Sequence, residues 1–159
     1  MFRGTIKAMI RIRKATATDA ADVAELFIAS QADALPFLAR LHTPEETRSF
    51  ILTNVFVQCE VWAAEEGNRI VGMMAINRGH IDHLYLEPGQ YRRGIGTMLL
   101  NQAKTLYPEG LTLFAFEVNR RACAFYAHHG FVAAERGDGS GNEAGEPDIL
   151  FEWNPNVGH

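Results

Sequence analysis

Within one stretch, His80 to Leu100, the sequence changes period. Residues 80–86 alternate in character and end at Glu87-Pro88-Gly89, whereas the run beginning at Ile95 carries its apolar residues at helical spacing. A strand therefore enters a helix through a turn that holds Arg92, Arg93, Gly94, Ile95 and Gly96. Glycine lets backbone N–H groups approach a ligand, and the first turn of a helix carries partial positive charge. Such a turn suits an anion, above all a phosphate. A dinucleotide fingerprint is excluded because no third glycine follows at its spacing, and no Gly-Lys-Ser/Thr of a P-loop occurs.

The rest of the chain can build one core around this unit. At 159 residues and 47% hydrophobic content, it suits a single globular domain, residues 10–153, preceded by a leader at 1–9. The leader has Arg3 and Lys7 but lacks the apolar centre of a signal peptide, and no run of roughly 18 apolar residues occurs. A soluble, cytoplasmic protein without a membrane partner is expected. A formal charge of −4 gives no broad basic field, so nucleic acid is not expected as a partner either. Cys59 and Cys123 stand singly, without metal-ligand spacing, which suits a reducing compartment and predicts no metal. Oligomeric state stays open, a homodimer included.

Ile10 to Lys14 reads as a first strand, followed by a helix capped by Thr18 or Asp19 that buries Val23, Leu26, Phe27 and Ser30 and ends at Pro36. Thr43-Pro44-Glu45-Glu46 is a capping box with proline at the first helical position, and predicts a second helix to about Leu52. Between them, Phe37, Leu41 and His42 lie in a connection. Val55 to Glu65, Arg69 to Asn77 and His80 to Leu86 read as three antiparallel strands joined by tight turns at Gly67-Asn68 and Arg78-Gly79. Leu111 to Phe116 is apolar but for Thr112, which predicts a strand buried on both faces and reached by a crossover. Asn119 to His129 reads as a helix closed by Gly130, and Phe131 to Ala134 begins another strand. A glycine-rich loop, Gly137 to Gly145, feeds a last strand at Asp148 to Trp153.

Tyr91-Arg92-Arg93-Gly94-Ile95-Gly96 resembles the acyl-CoA loop of the GNAT family of N-acetyltransferases, written Gln/Arg-x-x-Gly-x-Gly/Ala. Both glycines match, and Tyr91 stands where the family has Gln or Arg. A second resemblance follows, in which Asn119, Ala122, Phe125, Tyr126, Gly130 and Phe131 match the family's Asn, Ala, Phe-Tyr and Gly-Phe spacing. The resemblance implies an α/β (α+β) fold, with a mixed, mostly antiparallel central sheet and helices on both faces. It implies that the first two helices form part of an acceptor wall. It also implies that strands 80–86 and 111–116 splay apart to admit the pantetheine arm of acetyl-CoA, whose amides pair with main-chain groups of Leu84 and Leu86. The pyrophosphate would take N–H groups from Arg92 to Thr97, with Tyr91, Asn119, Ala122 and Phe125 completing the cofactor site.

The implied activity is acetyl transfer from acetyl-CoA to a primary amine on a small molecule or a peptide. The alternative is a catalytically idle acyl-CoA-binding module of the same fold. Transfer needs an acid for the leaving thiolate, and Tyr126 matches the family tyrosine with that role. It also needs a base, because an alkyl ammonium of pKa about 10.4 is nearly all charged at neutral pH. Strand alternation puts His80, Asp82, Leu84 and Leu86 on one face and Ile81, His83 and Tyr85 on the other. In histone and arylalkylamine acetyltransferases acid-base residues occupy positions that fall here at His80 and Asp82. His83 is a rival, since a bulge at Gly79 would exchange the faces; water is the remaining option. Asp82, Glu143, Glu146 and Asp148 could give a cationic acceptor an acidic pocket.

Overall fold

The computed structural model describes residues 9–155, so the expected leader lies outside the described residues except for Met9. The chain opens with β1 (Ile10–Lys14) and a 3-10 turn (Ala17–Asp19) that leads into α1 (Ala20–Ala34). Arg13 joins these pieces. Its guanidinium donates to both carboxylate oxygens of Asp19 at 2.9 Å and also to Glu65 on the next strand. Pro36 ends α1 and at once starts a short helix, α2 (Pro36–Ala39). The expected capping box holds α3 (Pro44–Phe50), where Thr43 Oγ1 accepts from Glu46 N at 3.1 Å and Glu46 Oε1 accepts from Thr43 N at 2.7 Å.

Beyond α3 the reading from sequence needs correction. The chain does not leave the helix near Leu52 for a strand at Val55; it continues through a π-helical turn (Ile51–Val55) into α4 (Phe56–Gln58), and β2 is Glu60–Glu66. Burial decides this, because Ile51 and Val55 lie four apart and both point into the core beneath α1. The elements then follow expectation: β3 (Arg69–Asn77), β4 (His80–Leu86), α5 (Ile95–Leu106), β5 (Leu111–Phe116), α6 (Arg120–His128), β6 (Val132–Gly137) and β7 (Asp148–Trp153).

The strands form one sheet in the order β1-β2-β3-β4-β5-β7-β6, in which β4 and β5 are parallel and every other neighbouring pair is antiparallel. A core on one face gathers Met74, Ile76, Ile81, Leu113 and Phe151 beneath α5 and α6, and a core on the other gathers Val61, Met73 and Ala75 beneath α1. Gly72 sets the depth of α5, since a Cβ there would meet Ile95 and Leu86 at 3.0 Å. β5 is not buried on both faces: Leu111 and Leu113 are, but Phe114 is 58% exposed, because the helices of the second face stop short of it. Its apolar run therefore includes a side chain that solvent reaches.

Candidate active site

A turn precedes α5 where the sequence places it. Gln90 N donates to Glu87 O at 3.1 Å across a turn with Gly89 at φ 88°. Arg92 (φ 68°) and Gly94 (φ 80°) then take left-handed conformations on either side of Arg93, and Gly94 caps α5. Successive N–H groups in such a segment converge into an anion-binding concavity at the positive end of the helix. A Cβ on Gly94 would meet nothing within 4 Å, so it is the φ of this residue, not crowding, that calls for glycine. Gly96 is different: a Cβ there would lie 3.2 Å from Phe125, so it serves helix packing, not ligand approach. Thr97 shares a hydrogen bond with His129 Nε2 at 3.1 Å, which fastens the same turn to α6. Of the two arginines, Arg93 is engaged by Glu66 and Gln90, while Arg92 is exposed and has no partner among the described residues.

Below this turn the sheet opens. β4 and β5 pair only at His80/Thr112 and Ile81/Leu113, after which they diverge. Glu87 N donates to Val71 O at 2.9 Å, which makes residues 83, 85 and 87 the ones bonded to β3. The N–H and C=O groups of Leu84 and Leu86 therefore face the gap, with no strand opposite. Backbone polar groups are seldom left unpaired inside a fold, so this edge is made for an extended, amide-bearing ligand.

The face beside the gap departs from plain alternation. The β3–β4 register shifts between Ala75/His83 and Ile76/Ile81, leaving Asp82 as an extra, bulged residue. Ile81, Leu84 and Leu86 consequently share the core under α5, and His80, Asp82, His83 and Tyr85 share the opposite face. Leu84 and Leu86 thus do not lie on the face of His80 and Asp82, and the bulge falls at Asp82, not Gly79. His80 Nδ1 shares a hydrogen bond with Thr112 Oγ1 at 2.7 Å, and its Nε2 lies 3.7 Å from Asp82 Oδ1. Asp82 also accepts from Cys59 Sγ at 3.3 Å; burial, with this carboxylate next in weight, pushes the thiol up to about 12. His83 is enclosed by Phe27, Phe50 and Tyr85, and this desolvation holds its imidazole down at about 4.

Tyr126 lies in the core on the α5 and α6 face of the sheet. Its ring is buried among Phe125, Phe131 and Phe151, and burial pushes the phenol above its ordinary range, with Tyr85 raising it further. Tyr85 and Tyr126 pack against the cores on opposite faces of the sheet. Asn119 caps α6, its Oδ1 accepting from Ala122 N at 3.2 Å, which leaves its amide N–H groups for a ligand. Over the acceptor side, Phe37 packs edge-on against Phe116, and His42 Nε2 meets Glu143 Oε1 at 2.9 Å, tying the helical connection to the β6–β7 loop. Asp148 accepts from Asn142 at 3.3 Å, so Asp82 is the member of the suggested acidic set that adjoins His80.

Residues 58–133 match the family model of the acetyltransferase (GNAT) domain. The match spans just under half of the chain, which resembles GNAT acetyltransferases over that stretch and in its fold. It is 33% identical over 89 residues to the peptidyl-lysine N-acetyltransferase YjaB of Salmonella typhimurium, an alignment covering 55% of this chain and 61% of that protein. The solution structure of apo YjaB from Escherichia coli superposes with a TM-score of 0.76 at 25% identity, covering 91% of this chain and 97% of that one. PaiA N-acetyltransferase from Thermoplasma acidophilum, solved with coenzyme A, shares the fold at a TM-score of 0.70 and 23% identity, over 92% of this chain and 99% of its own.

Within this GNAT fold, the loop and α6 motifs come together as their spacing implies. Thr112, Tyr85 and Phe50 also contact the histidines of β4 and escape the sequence. Thr112 carries no motif and meets His80 only through the parallel pairing of β4 with β5. Tyr85 and Phe50 read as ordinary apolar positions until the bulge turns Tyr85 towards the histidines.

Proposed function

We propose that the chain is an acetyl-CoA-dependent N-acetyltransferase transferring acetyl directly to a primary amine within a ternary complex, as a single cytoplasmic domain spanning 10–153. The observation that carries this reading is the amide-edged gap between β4 and β5, which leads from the anion-binding turn to the face of His80 and Asp82. Leu84 and Leu86 would hold the pantetheine amides, and the N–H groups of Arg92 to Thr97 the diphosphate. Acetyl-CoA supplies the acetyl group already activated as a thioester.

An amine arriving as ammonium must lose a proton before it can attack. His80 takes that proton, and Asp82, 3.7 Å from its Nε2, attracts the imidazolium that results. His83 is too weak a base for this, since its imidazole is held near 4. As the amide forms, Tyr126 gives its hydroxyl proton to the departing thiolate and regains one from the amine nitrogen. His80 then returns its proton to water, so amide, free thiol and one proton leave. A phenol pushed upward by burial is fully protonated at neutral pH and suits this role. The name of the YjaB relatives favours a lysine amine on a peptide as acceptor.

Release of free thiol from acetyl-CoA, followed colorimetrically across a panel of Nα-blocked lysine peptides, polyamines and aminoglycosides, tests the reading. Thiol release that depends on an amine, with peptide lysine ahead, is expected. Tight acetyl-CoA binding with no release against any amine would leave a binding module instead.

A further inference from the structure

The anion-binding turn lacks the Gln or Arg side chain that its motif normally supplies, and its own Arg93 is engaged by Glu66 and Gln90. A cation arrives from elsewhere. The Arg121 guanidinium of α6 lies over the ring of Tyr91, 4.2 Å from its centroid. Tyr91 in turn reaches α1, its hydroxyl donating to Asp33 Oδ2 at 3.4 Å. The ring is thus held between two helices, and Tyr91, which carries Arg121 on its face, directly precedes Arg92, the left-handed residue that opens the turn.

Stacking restrains a guanidinium by its face and leaves the N–H groups at its edge available for bidentate bonds to an anion. No carboxylate among the described residues pairs with Arg121, and the nearby Asp33 is taken up by Tyr91. An oriented, unneutralised guanidinium beside a cluster of converging N–H groups is a phosphate ligand in waiting. Arg92 has the same charge but nothing to orient it, and an unrestrained side chain loses more entropy on binding.

We propose that Arg121, positioned by Tyr91, is the side-chain ligand of the acetyl-CoA diphosphate, replacing in space the residue that the loop lacks in sequence. This rests on the acetyl-CoA reading above. Titration calorimetry of wild type, Arg121→Gln and Arg120→Gln with acetyl-CoA and with S-acetylpantetheine, which has no diphosphate, tests it. Arg121→Gln should weaken acetyl-CoA binding by about 10 to 100-fold, the range for a charged hydrogen bond. Its S-acetylpantetheine binding should be unchanged, and Arg120→Gln, one residue away on the same helix, should bind both ligands as wild type does. Tyr91→Ala should cost as much as Arg121→Gln for acetyl-CoA, and the double variant should be little worse than either. Equal affinities in Arg121→Gln and Arg120→Gln, or an equal loss of both ligands, would overturn the inference alone. A wild-type chain that binds neither ligand would overturn the acetyl-CoA reading and the inference with it.

Discussion

His83 should make the protein lose stability well above the pH at which carboxylates protonate. Its ring is packed edge-on against Phe27 at 5.0 Å and stacked near Tyr85 at 6.1 Å, and no hydrogen-bonding partner among the described residues offsets the loss of water. The imidazole is therefore held from the ordinary 6.5 down to about 4. Between those values the unfolded chain binds a proton that the folded chain refuses, so stability is full above pH 6.5 and falls as the pH drops towards 4. At 1.36 kcal/mol per unit the ceiling is about 3 kcal/mol. With a urea dependence of roughly 1.5–2 kcal/mol/M for a domain this size, that moves the unfolding midpoint by about 1.5–2 M.

The assay is urea unfolding at half-unit steps from pH 7 to 4.5, for wild type and His83→Leu. Leucine nearly fills the ring's place and cannot take a proton, so the variant's midpoint should stay nearly level where wild type falls, and the two curves should converge towards pH 7. Parallel curves would show that His83 titrates alike folded and unfolded, and would falsify the desolvated-ring reasoning. The same variant bears on catalysis. If His80 and not the weakly basic His83 is the base, as proposed, the acid limb of kcat/KM should persist in His83→Leu and vanish in His80→Ala.

Tyr126→Phe should lower turnover by about 10² to 10⁴-fold with acetyl-CoA affinity kept, checked by steady-state kinetics beside calorimetry, because the proton goes and the packing stays. Gly94→Glu should abolish acetyl-CoA binding in a folded protein, while Gly94→Ala, which bears only the backbone strain of about 1–2 kcal/mol at φ 80°, should still bind; equal binding by both variants would move the anion site elsewhere. His80→Ala and Asp82→Ala should each slow turnover, with the double variant little worse than the poorer single one; additive losses would separate the two roles. Arg78→Asn should raise the thermal midpoint, with a gain of about 0.5–1 kcal/mol, because Asn tolerates the left-handed conformation that Arg78 holds at φ 51° in the β3–β4 turn.

Much of this architecture is legible from local chemistry. Turn residues set the β2–β3 and β3–β4 hairpins at Gly67 and Gly79, the capping box set the start of α3, and Gly130 closed α6 at φ 91°. These signals work because each depends on one or two residues and their own backbone. What escaped depends on partners distant in sequence. Ile51 and Val55 form a π-helical turn because α1 offers them a core, while Val55 beside Phe56 and Val57 reads locally as the start of a strand. Phe114 looked like a buried residue because an apolar run does not say whether a helix covers it.

The bulge at Asp82 belongs to this second kind, and it accounts for two features of the site together. Ile81 is the last residue of β4 that pairs with β5, and Asp82, directly after it, is the extra residue against β3. A bulge raises local twist and bends its strand, so β4 turns away from β5 at the residue where the gap begins. The same extra residue changes the face of everything beyond it. Without it, His83 and Tyr85 would lie in the core under α5, and Leu84 and Leu86 would face the acceptor side beside His80. With it, Leu84 and Leu86 fill the core under α5, and His80 and Asp82 stay together on the opposite face, beside the point where β4 leaves β5. No property of the segment His80 to Leu86 read alone requires this insertion; the pairing of Ala75 and Ile76 across the turn does.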